Sequence, residues 1–174
     1  MNFDLQPTLM GKLIQLRPLN QEDFAELFDC ASDPKIWEQH PQRNRYQKEV
    51  FQKFFDGAIA SLGAFVIIDL ETNHIIGSSR FYNLDAQDRQ ITIGYTFLKT
   101  IYWGGKFNRE LKTLMLKHAF RFVDLVIFEI GANNQRSRKA IEKIGARLLK
   151  SENFDNDSHV IYGINQQEFY EHIT

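Results

Sequence analysis

Two adjacent glycines mark the segment of the sequence whose residue types most directly suggest ligand binding. Gly104 and Gly105 follow a short β-branched and aromatic segment, residues 91–98, and precede a run from Arg109 in which apolar residues recur at helical spacing. This order predicts a strand, a glycine turn and a helix. Because glycine allows close approach to the backbone and the first helical amides lack intrahelical acceptors, the turn is a candidate phosphate site. A tight connection without any ligand explains the same glycines.

A second candidate lies in the loop at residues 36–41, which contains Trp37, Glu38 and His40 close together. Loops of this composition often line sites. The alternative is that Trp37 fills the core while Glu38 and His40 are solvated. His118 differs from these residues because it lies within an apolar helical stripe, and we predict that it is a core histidine.

Composition limits the class of protein. The chain has 174 residues, of which 43% are hydrophobic, so we expect one domain over residues 1–174 with a core at about 11–165. A net charge of −1 argues against nucleic-acid and anionic-membrane partners. Cys30 is the only cysteine, which excludes an intrachain disulfide and a multi-cysteine zinc site, and we expect no metal. Without a leader-like start or a long apolar run, a cytoplasmic location is expected.

The elements that must position these residues follow from periodicity. We expect strands over residues 13–16, 64–69, 75–82, 91–98, 125–130, 147–151 and 159–164, with helices near 20–31, 46–61, 109–122, 137–144 and in the tail from 166. Three strands joined by hairpins, followed by a strand-helix-strand crossover, predict a mixed and mostly antiparallel sheet. The fold class is therefore α+β.

Several short motifs occur in one order along nearly the whole chain. They are Arg17-Pro18-Leu19, Ile76-Gly77, Ile93-Gly94-Tyr95, Trp103-Gly104-Gly105 and a segment with Asn134, Ser137, Ala140, Lys143, Gly145 and Ala146 at fixed spacing. In combination they resemble the GNAT superfamily of N-acetyltransferases, most closely its RimJ/RimL-type branch. The resemblance implies two splayed parallel strands, acetyl-coenzyme A as donor, and a primary amine of a protein N-terminus or small molecule as acceptor. A monomer or homodimer is expected.

The resemblance also implies a binding site for coenzyme A. The pyrophosphate would lie on the amides after Gly104, and the pantetheine arm would run between the strands at residues 91–98 and 125–130. The implied binding residues are Phe97, Leu98, Trp103, Gly104, Gly105, Lys106, Phe107, Asn108, Asn134 and Ser137. The glycine motif of the family is not intact here, since no alignment restores all its positions, but the Lys106 ammonium could still pair with a phosphate.

The resemblance implies a role for Ser137 as well. Many family members use a tyrosine seven residues after the motif asparagine to protonate the departing thiolate, and this position is Ile141 here. In the RimJ/RimL branch a serine three residues after the asparagine is the substitute, which corresponds to Ser137. A hydroxyl at a helix start could stabilise a thiolate. The alternative is that Ser137 caps the helix together with Asn134.

Attack by an amine also needs a base for its proton. Glu38, His40 and Glu152 are the candidates, because each is expected in a loop or at a strand end near the site. A coenzyme A-binding module without turnover is the alternative function. A P-loop hydrolase is excluded because Phe107 stands where that motif requires Ser or Thr.

Overall fold

The computed structural model describes residues 3–154 and 157–173, with the side chains of residues 152–154, 157 and 173 outside this description. The strands are β1 Leu9–Met10, β2 Ile14–Pro18, β3 Ala64–Asp69, β4 Ile75–Asp85, β5 Gln90–Leu98, β6 Leu125–Gly131, β7 Arg147–Phe154 and β8 Asp157–Asn165. The helices are α1 Phe24–Ala31, α2 Lys48–Ala60, α3 Lys106–Ala119, α4 Gln135–Glu142 and α5 Gln166–Ile173, and short 3-10 turns cover Gln21–Asp23, Pro34–Ile36 and Thr100–Tyr102.

All eight described strands form one mixed sheet, in the order β1-β2-β3-β4-β5-β6-β8-β7. Every neighbouring pair is antiparallel except β5 and β6, which α3 connects as a crossover. The parallel pairing runs only from Gln90 opposite Leu125 to Thr92 opposite Ile127. Beyond this point β5 continues to Leu98 and β6 to Gly131 without pairing to each other. The α+β class and the mixed sheet are confirmed, and the two parallel strands leave a wedge-shaped gap.

A β-bulge in β5 lies beside this gap. Ser78 of β4 is opposite Phe97, whereas Arg80, two residues along, is opposite Gly94. The extra residue is accommodated at Tyr95, whose φ of 53° places it in the left-handed region. A bulge of this kind disrupts the ladder and re-aims the neighbouring side chains.

The bulge exchanges the two faces of β5. Before it, Ile93 packs into the core on the α3 side of the sheet. After it, Thr96 contacts α3, while Tyr95 and Phe97 pack against Phe54 of α2 on the opposite side. Strand alternation has a period of two, so one inserted residue reverses which positions face each side.

The sheet separates two hydrophobic cores. One lies under α3, α4 and α5 and includes Leu111, Met115 and Phe169. The other lies under α1 and α2 and is built largely from aromatic rings, with Phe51 and Phe55 fully buried. The buried residues of α2 are Phe51, Phe55 and Ala58, which recur at helical spacing.

The interpretation of His118 as a core histidine agrees with the structure. Its ring is buried against Phe3, Phe81 and Phe122, and Nε2 lies 2.8 Å from the carbonyl oxygen of Asp4. Burial lowers its pKa, although the contact with Asp4 acts in the opposite direction. The histidine is thus accounted for by packing and one hydrogen bond.

Several element boundaries differ from expectation, including the starts of α1, α3 and α4. The α3 helix begins at Lys106, three residues before the predicted start, so the first turn contains residues that do not belong to the apolar stripe. The α1 helix begins at Phe24, after a 3-10 turn in which the Asp23 carboxylate accepts from the Asn20 amide and pairs with Arg17. Within the described part of the chain, no helix is long and apolar enough to cross a membrane.

Candidate active site

The gap between β5 and β6 opens into a cleft of about 930 Å³. Its walls are the splayed strand ends, the N-terminal turns of α3 and α4, and the loop that follows α1. The cleft passes through the sheet, so it borders both hydrophobic cores. This position follows from the short parallel pairing, because strands that diverge cannot close the sheet between them.

The glycine turn forms the wall at the start of α3. Gly104 has a φ of +87°, and a Cβ built on Gly104 or Gly105 would meet nothing within 4 Å. No side chain among the described residues caps α3, and the Arg109 amide donates to the Gly105 carbonyl at 3.3 Å. The preceding helical amides are therefore available to an anion that occupies the open space.

Basic side chains surround this part of the cleft. Lys106, Arg109, Lys139 and Lys143 all line it, and none of them pairs with a carboxylate among the residues described. Unpaired cations near a helix N-terminus favour a ligand with several negative charges. The arrangement fits a diphosphate.

The N-terminus of α4 forms a second wall. The Asn134 side chain is buried, and its Oδ1 accepts a hydrogen bond from the Ser137 amide at 3.1 Å. Asn134 is therefore the cap of α4, as predicted, and Ser137 takes part in the cap through its backbone only. Within the described part of the chain, the Ser137 hydroxyl has no hydrogen-bond partner, and the residue lines the cleft. The hydroxyl is thus free to contact a ligand.

Arg136 of α4 contacts both Trp103 and the loop that follows α1. Its guanidinium lies 3.9 Å from the ring centroid of Trp103, which follows β5, and donates to the Ile36 carbonyl at 2.8 Å. The Arg136 amide also donates to the Gln39 side chain at 3.0 Å. Glu38 is exposed, with its carboxylate 3.5 Å from Arg136 Nη1, and it does not line the cleft. These contacts fix the loop after α1 against α4.

The three predicted bases differ in their placement. His40 lines the cleft, whereas Glu38 lies outside it and the side chain of Glu152 is outside the described residues. His40 Nδ1 accepts from the Gln42 amide at 2.9 Å, and burial lowers the pKa of His40 to about 4. The ring is therefore neutral at pH 7 with its proton on Nε2, so its one lone pair is already engaged.

A carboxylate that the sequence reasoning missed also lines the cleft. Glu129 lies on β6 beside the gap, is exposed, and accepts a hydrogen bond from the Tyr82 hydroxyl at 3.3 Å. Its position was visible as a single charge within the apolar segment of residues 125–130. An exposed carboxylate keeps a free oxygen lone pair and can accept a proton.

A buried lysine was missed as well. Lys112 of α3 lines the cleft, and its Nζ donates to Thr96 Oγ1 at 2.7 Å and lies 5.6 Å from the Phe128 ring. The side chain is fully enclosed, and burial lowers its pKa to about 7. The signal in the sequence was a lysine directly after Leu111 in the apolar stripe, but its contact with Thr96 depends on the bulge in β5.

The comparisons with known proteins agree with this geometry. A family model described as an acetyltransferase (GNAT) domain matches residues 14–147, which is well over half of the chain. The chain belongs to the GNAT acetyltransferase family. Comparison with curated proteins finds no match. The family relationship confirms the superfamily resemblance, whereas the RimJ/RimL branch stays a prediction.

Solved structures share the fold at low identity. A GCN5-related N-acetyltransferase from Brucella melitensis is 19% identical with a TM-score of 0.84, covering 95% of this chain and 81% of that one. RimJ from Mycobacterium smegmatis, in complex with CoA-disulfide, is 18% identical with a TM-score of 0.73, covering 93% and 88%. Spermidine N-acetyltransferase from Vibrio cholerae, in complex with CoA and spermine, is 14% identical with a TM-score of 0.71, covering 92% and 99%.

The structure brings together most of the residues predicted to bind a coenzyme. Nine line the cleft, namely Phe97, Leu98, Trp103, Gly104, Gly105, Lys106, Asn108, Asn134 and Ser137. Phe107 does not, because its ring packs edge-on against Tyr102 at 4.8 Å and borders a smaller cavity beside Asp69. The open space at the two glycines, the uncapped start of α3 and the unpaired basic residues fit a phosphate-bearing molecule such as coenzyme A.

Proposed function

We propose that this protein transfers an acetyl group from acetyl-coenzyme A to a primary amine, and that it is an enzyme of the RimJ/RimL type. One observation carries the proposal: Ser137, whose hydroxyl has no hydrogen-bond partner among the described residues, lines the same cleft as the glycine turn. An anion-binding wall and a polar group at a helix start are what thioester cleavage requires, because negative charge develops on the leaving sulfur.

The residues that would hold the donor are on the α3 and α4 walls. The first amides of α3 with Lys106 and Arg109 would bind the phosphates. The pantetheine arm would lie between the unpaired ends of β5 and β6, where both strands offer main-chain groups without a strand partner. Acetyl-coenzyme A supplies the activated acetyl group.

The chemistry is direct transfer. The amine nitrogen attacks the thioester carbonyl carbon, the carbon–sulfur bond breaks, and the thiolate leaves while the nitrogen loses one proton. Glu129 is the better-placed proton acceptor, by itself or through one water, because the lone pair of His40 is already used. Ser137 donates a hydrogen bond to the sulfur as charge develops, aided by the positive end of α4.

A comparison of kinetics and stability tests this role. Ser137→Ala should lower kcat by about tenfold to a thousandfold, the range for loss of one donor to a developing anion, with little change in affinity for acetyl-coenzyme A. Thiol release with a panel of amines gives kcat, and thermal unfolding gives stability. Ser32→Ala is the matched control, because Ser32 is an exposed serine at the end of α1 and outside the cleft.

Each other outcome has a defined meaning. If Ser137→Ala melts at a lower temperature with unchanged kcat, Ser137 has no part in the mechanism. If the wild-type protein binds coenzyme A but releases no thiol with any amine, the protein is a binding module, an alternative suggested by the altered glycine motif. If coenzyme A does not bind, both functions are excluded.

A further inference from the structure

Two arginines lie beneath the part of the cleft that faces α1 and α2. Arg45, in the loop before α2, lines the cleft, and Arg80, on β4, lies behind it next to Tyr95. Both side chains are strongly buried, since each residue is only 7% exposed. Arginine is seldom buried to this extent without a partner.

Aromatic rings form most of their surroundings. The Arg45 guanidinium lies 5.5 Å from the Trp37 ring and 4.8 Å from the Phe54 ring. The Arg80 guanidinium lies 5.7 Å from the same Phe54 ring and 4.0 Å from the Tyr95 ring. The Phe54 ring therefore contacts both guanidiniums, and cation–π attraction favours their placement next to the rings.

Neither arginine has a carboxylate partner among the described residues. Arg45 Nε donates to the Gln42 side chain at 2.9 Å, and its Nη1 lies 3.3 Å from His40 Nε2, which already carries a proton. Arg80 Nη1 reaches the Gly57 carbonyl at 3.4 Å, and Arg80 Nε, although buried, has no described partner. Among the side chains that the structure describes, no carboxylate compensates these two buried positive charges.

Such an arrangement is unfavourable unless something else supplies negative charge. Burying a charge without a partner opposes folding strongly, because the charge loses its hydration. Burial lowers the pKa of Arg45 to about 10, and the neighbouring Arg80 acts in the same direction, yet Arg45 stays protonated at neutral pH. Because Arg45 also borders the cleft, a bound anion can reach it, and Arg80 adds positive potential from behind.

We propose that the acetyl acceptor carries a carboxylate and that Arg45 binds it. This inference rests on the proposed function and specifies its substrate class: an amino acid or short peptide with a free carboxylate near the amine. The same cleft contains Glu129, so a zwitterion would be held with its carboxylate toward Arg45 and its amine toward Glu129. Planar guanidinium groups suit carboxylates because two parallel hydrogen bonds can form. A polyamine would instead meet the two cations.

The test uses acceptors that differ only in the anionic group. Acetylation rates are measured for a dipeptide as free acid and as amide, for O-phosphoethanolamine and ethanolamine, and for spermidine. The free acid should have a KM about ten- to a hundredfold lower than the amide. Arg45→Gln should remove this difference and leave the KM for acetyl-coenzyme A unchanged, and Arg45→Lys should restore part of it. Arg43→Gln, which replaces an exposed arginine in the same loop, should change neither.

Binding provides a readout that does not need turnover. Trp37 and Trp103 both line the cleft, so intrinsic fluorescence can follow titration of the acetylated dipeptide as acid and as amide in the presence of coenzyme A. Tighter binding of the acid that Arg45→Gln abolishes supports the proposal. Equal binding of acid and amide, preference for spermidine, or preference for the phosphate over the carboxylate overturns it. If thiol release still occurs, such results contradict only the carboxylate inference and not the proposed acetyl transfer. If the protein does not bind coenzyme A, the proposed acetyl transfer itself is contradicted.

Discussion

Replacing Lys112 by methionine measures the free energy of burying a positive charge beneath the cleft. Methionine has a similar length and no charge, so the variant keeps most of the packing against Phe128 and removes the ammonium. The hydrogen bond to Thr96 is lost, but Thr96 Oγ1 keeps a partner in Ser79 at 2.8 Å. We therefore expect Lys112→Met to be more stable than the wild-type protein at neutral pH.

The magnitude follows from the pKa of Lys112, which burial lowers from 10.5 to about 7. Each pKa unit corresponds to about 1.4 kcal/mol, so burying the fully charged side chain costs about 5 kcal/mol of folding free energy. Between pH 7 and 10.5 the unfolded chain binds more protons than the folded one, so wild-type stability rises with pH in this window. After about 1 kcal/mol for the lost hydrogen bond, the gain should be about 4 kcal/mol at pH 6 and about 1 kcal/mol at pH 9.

Urea unfolding of both proteins at pH 6, 7, 8 and 9 measures this difference. Lys117→Met is the control, because Lys117 is an exposed lysine of the same helix. Its replacement should change the unfolding free energy by no more than about 0.5 kcal/mol at every pH. A gain for Lys112→Met that does not change with pH would refute the reasoning, since it would mean that Lys112 titrates near its ordinary pKa in the folded protein.

Three further outcomes are expected. Acetyl-coenzyme A at a hundred times its Kd should stabilise the folded protein by about 2.7 kcal/mol, seen as a higher melting temperature; no rise at millimolar ligand would contradict a site in the cleft. Gly105→Val should abolish coenzyme A binding in titration calorimetry without unfolding the protein, because a Cβ there meets no protein atom, and Lys53→Ala should bind normally. Asn134→Ala should lower the unfolding free energy by about 1 kcal/mol through loss of the α4 cap, and an unchanged value in urea unfolding would show that the cap contributes nothing.

Local patterns in the sequence predicted the parts of the fold that depend on local interactions. The strand at residues 64–69 was predicted with the bounds that β3 has, because a continuous apolar run is bounded by Gly63 and the turn after Asp69. The cap at Asn134 followed from residue types, whereas α4 ends at Glu142, two residues before the predicted end, and Gly145 follows it with a positive φ of +94°.

The missed features depend on contacts between distant segments. The bulge at Tyr95 reverses the faces of β5, and no alternation rule predicts where such an insertion occurs. The contact between Lys112 and Thr96 could not be predicted for that reason. Arg45 lies in a loop without periodicity, and its burial results from Trp37 and Phe54, which reach it from other parts of the chain.

The two walls of the gap between β5 and β6 differ in how easily mutation can change the ligand that each wall recognises. The proposed donor side consists largely of main-chain groups: a turn, the first amides of a helix and two unpaired strand edges. Main-chain groups persist when side chains are replaced, so this wall tolerates changes in sequence. The opposite wall consists of side chains such as Arg45 and Glu129, each of which can be lost by one nucleotide change. Under the proposed function, acceptor preference can therefore evolve in small steps while the wall assigned to the donor is kept.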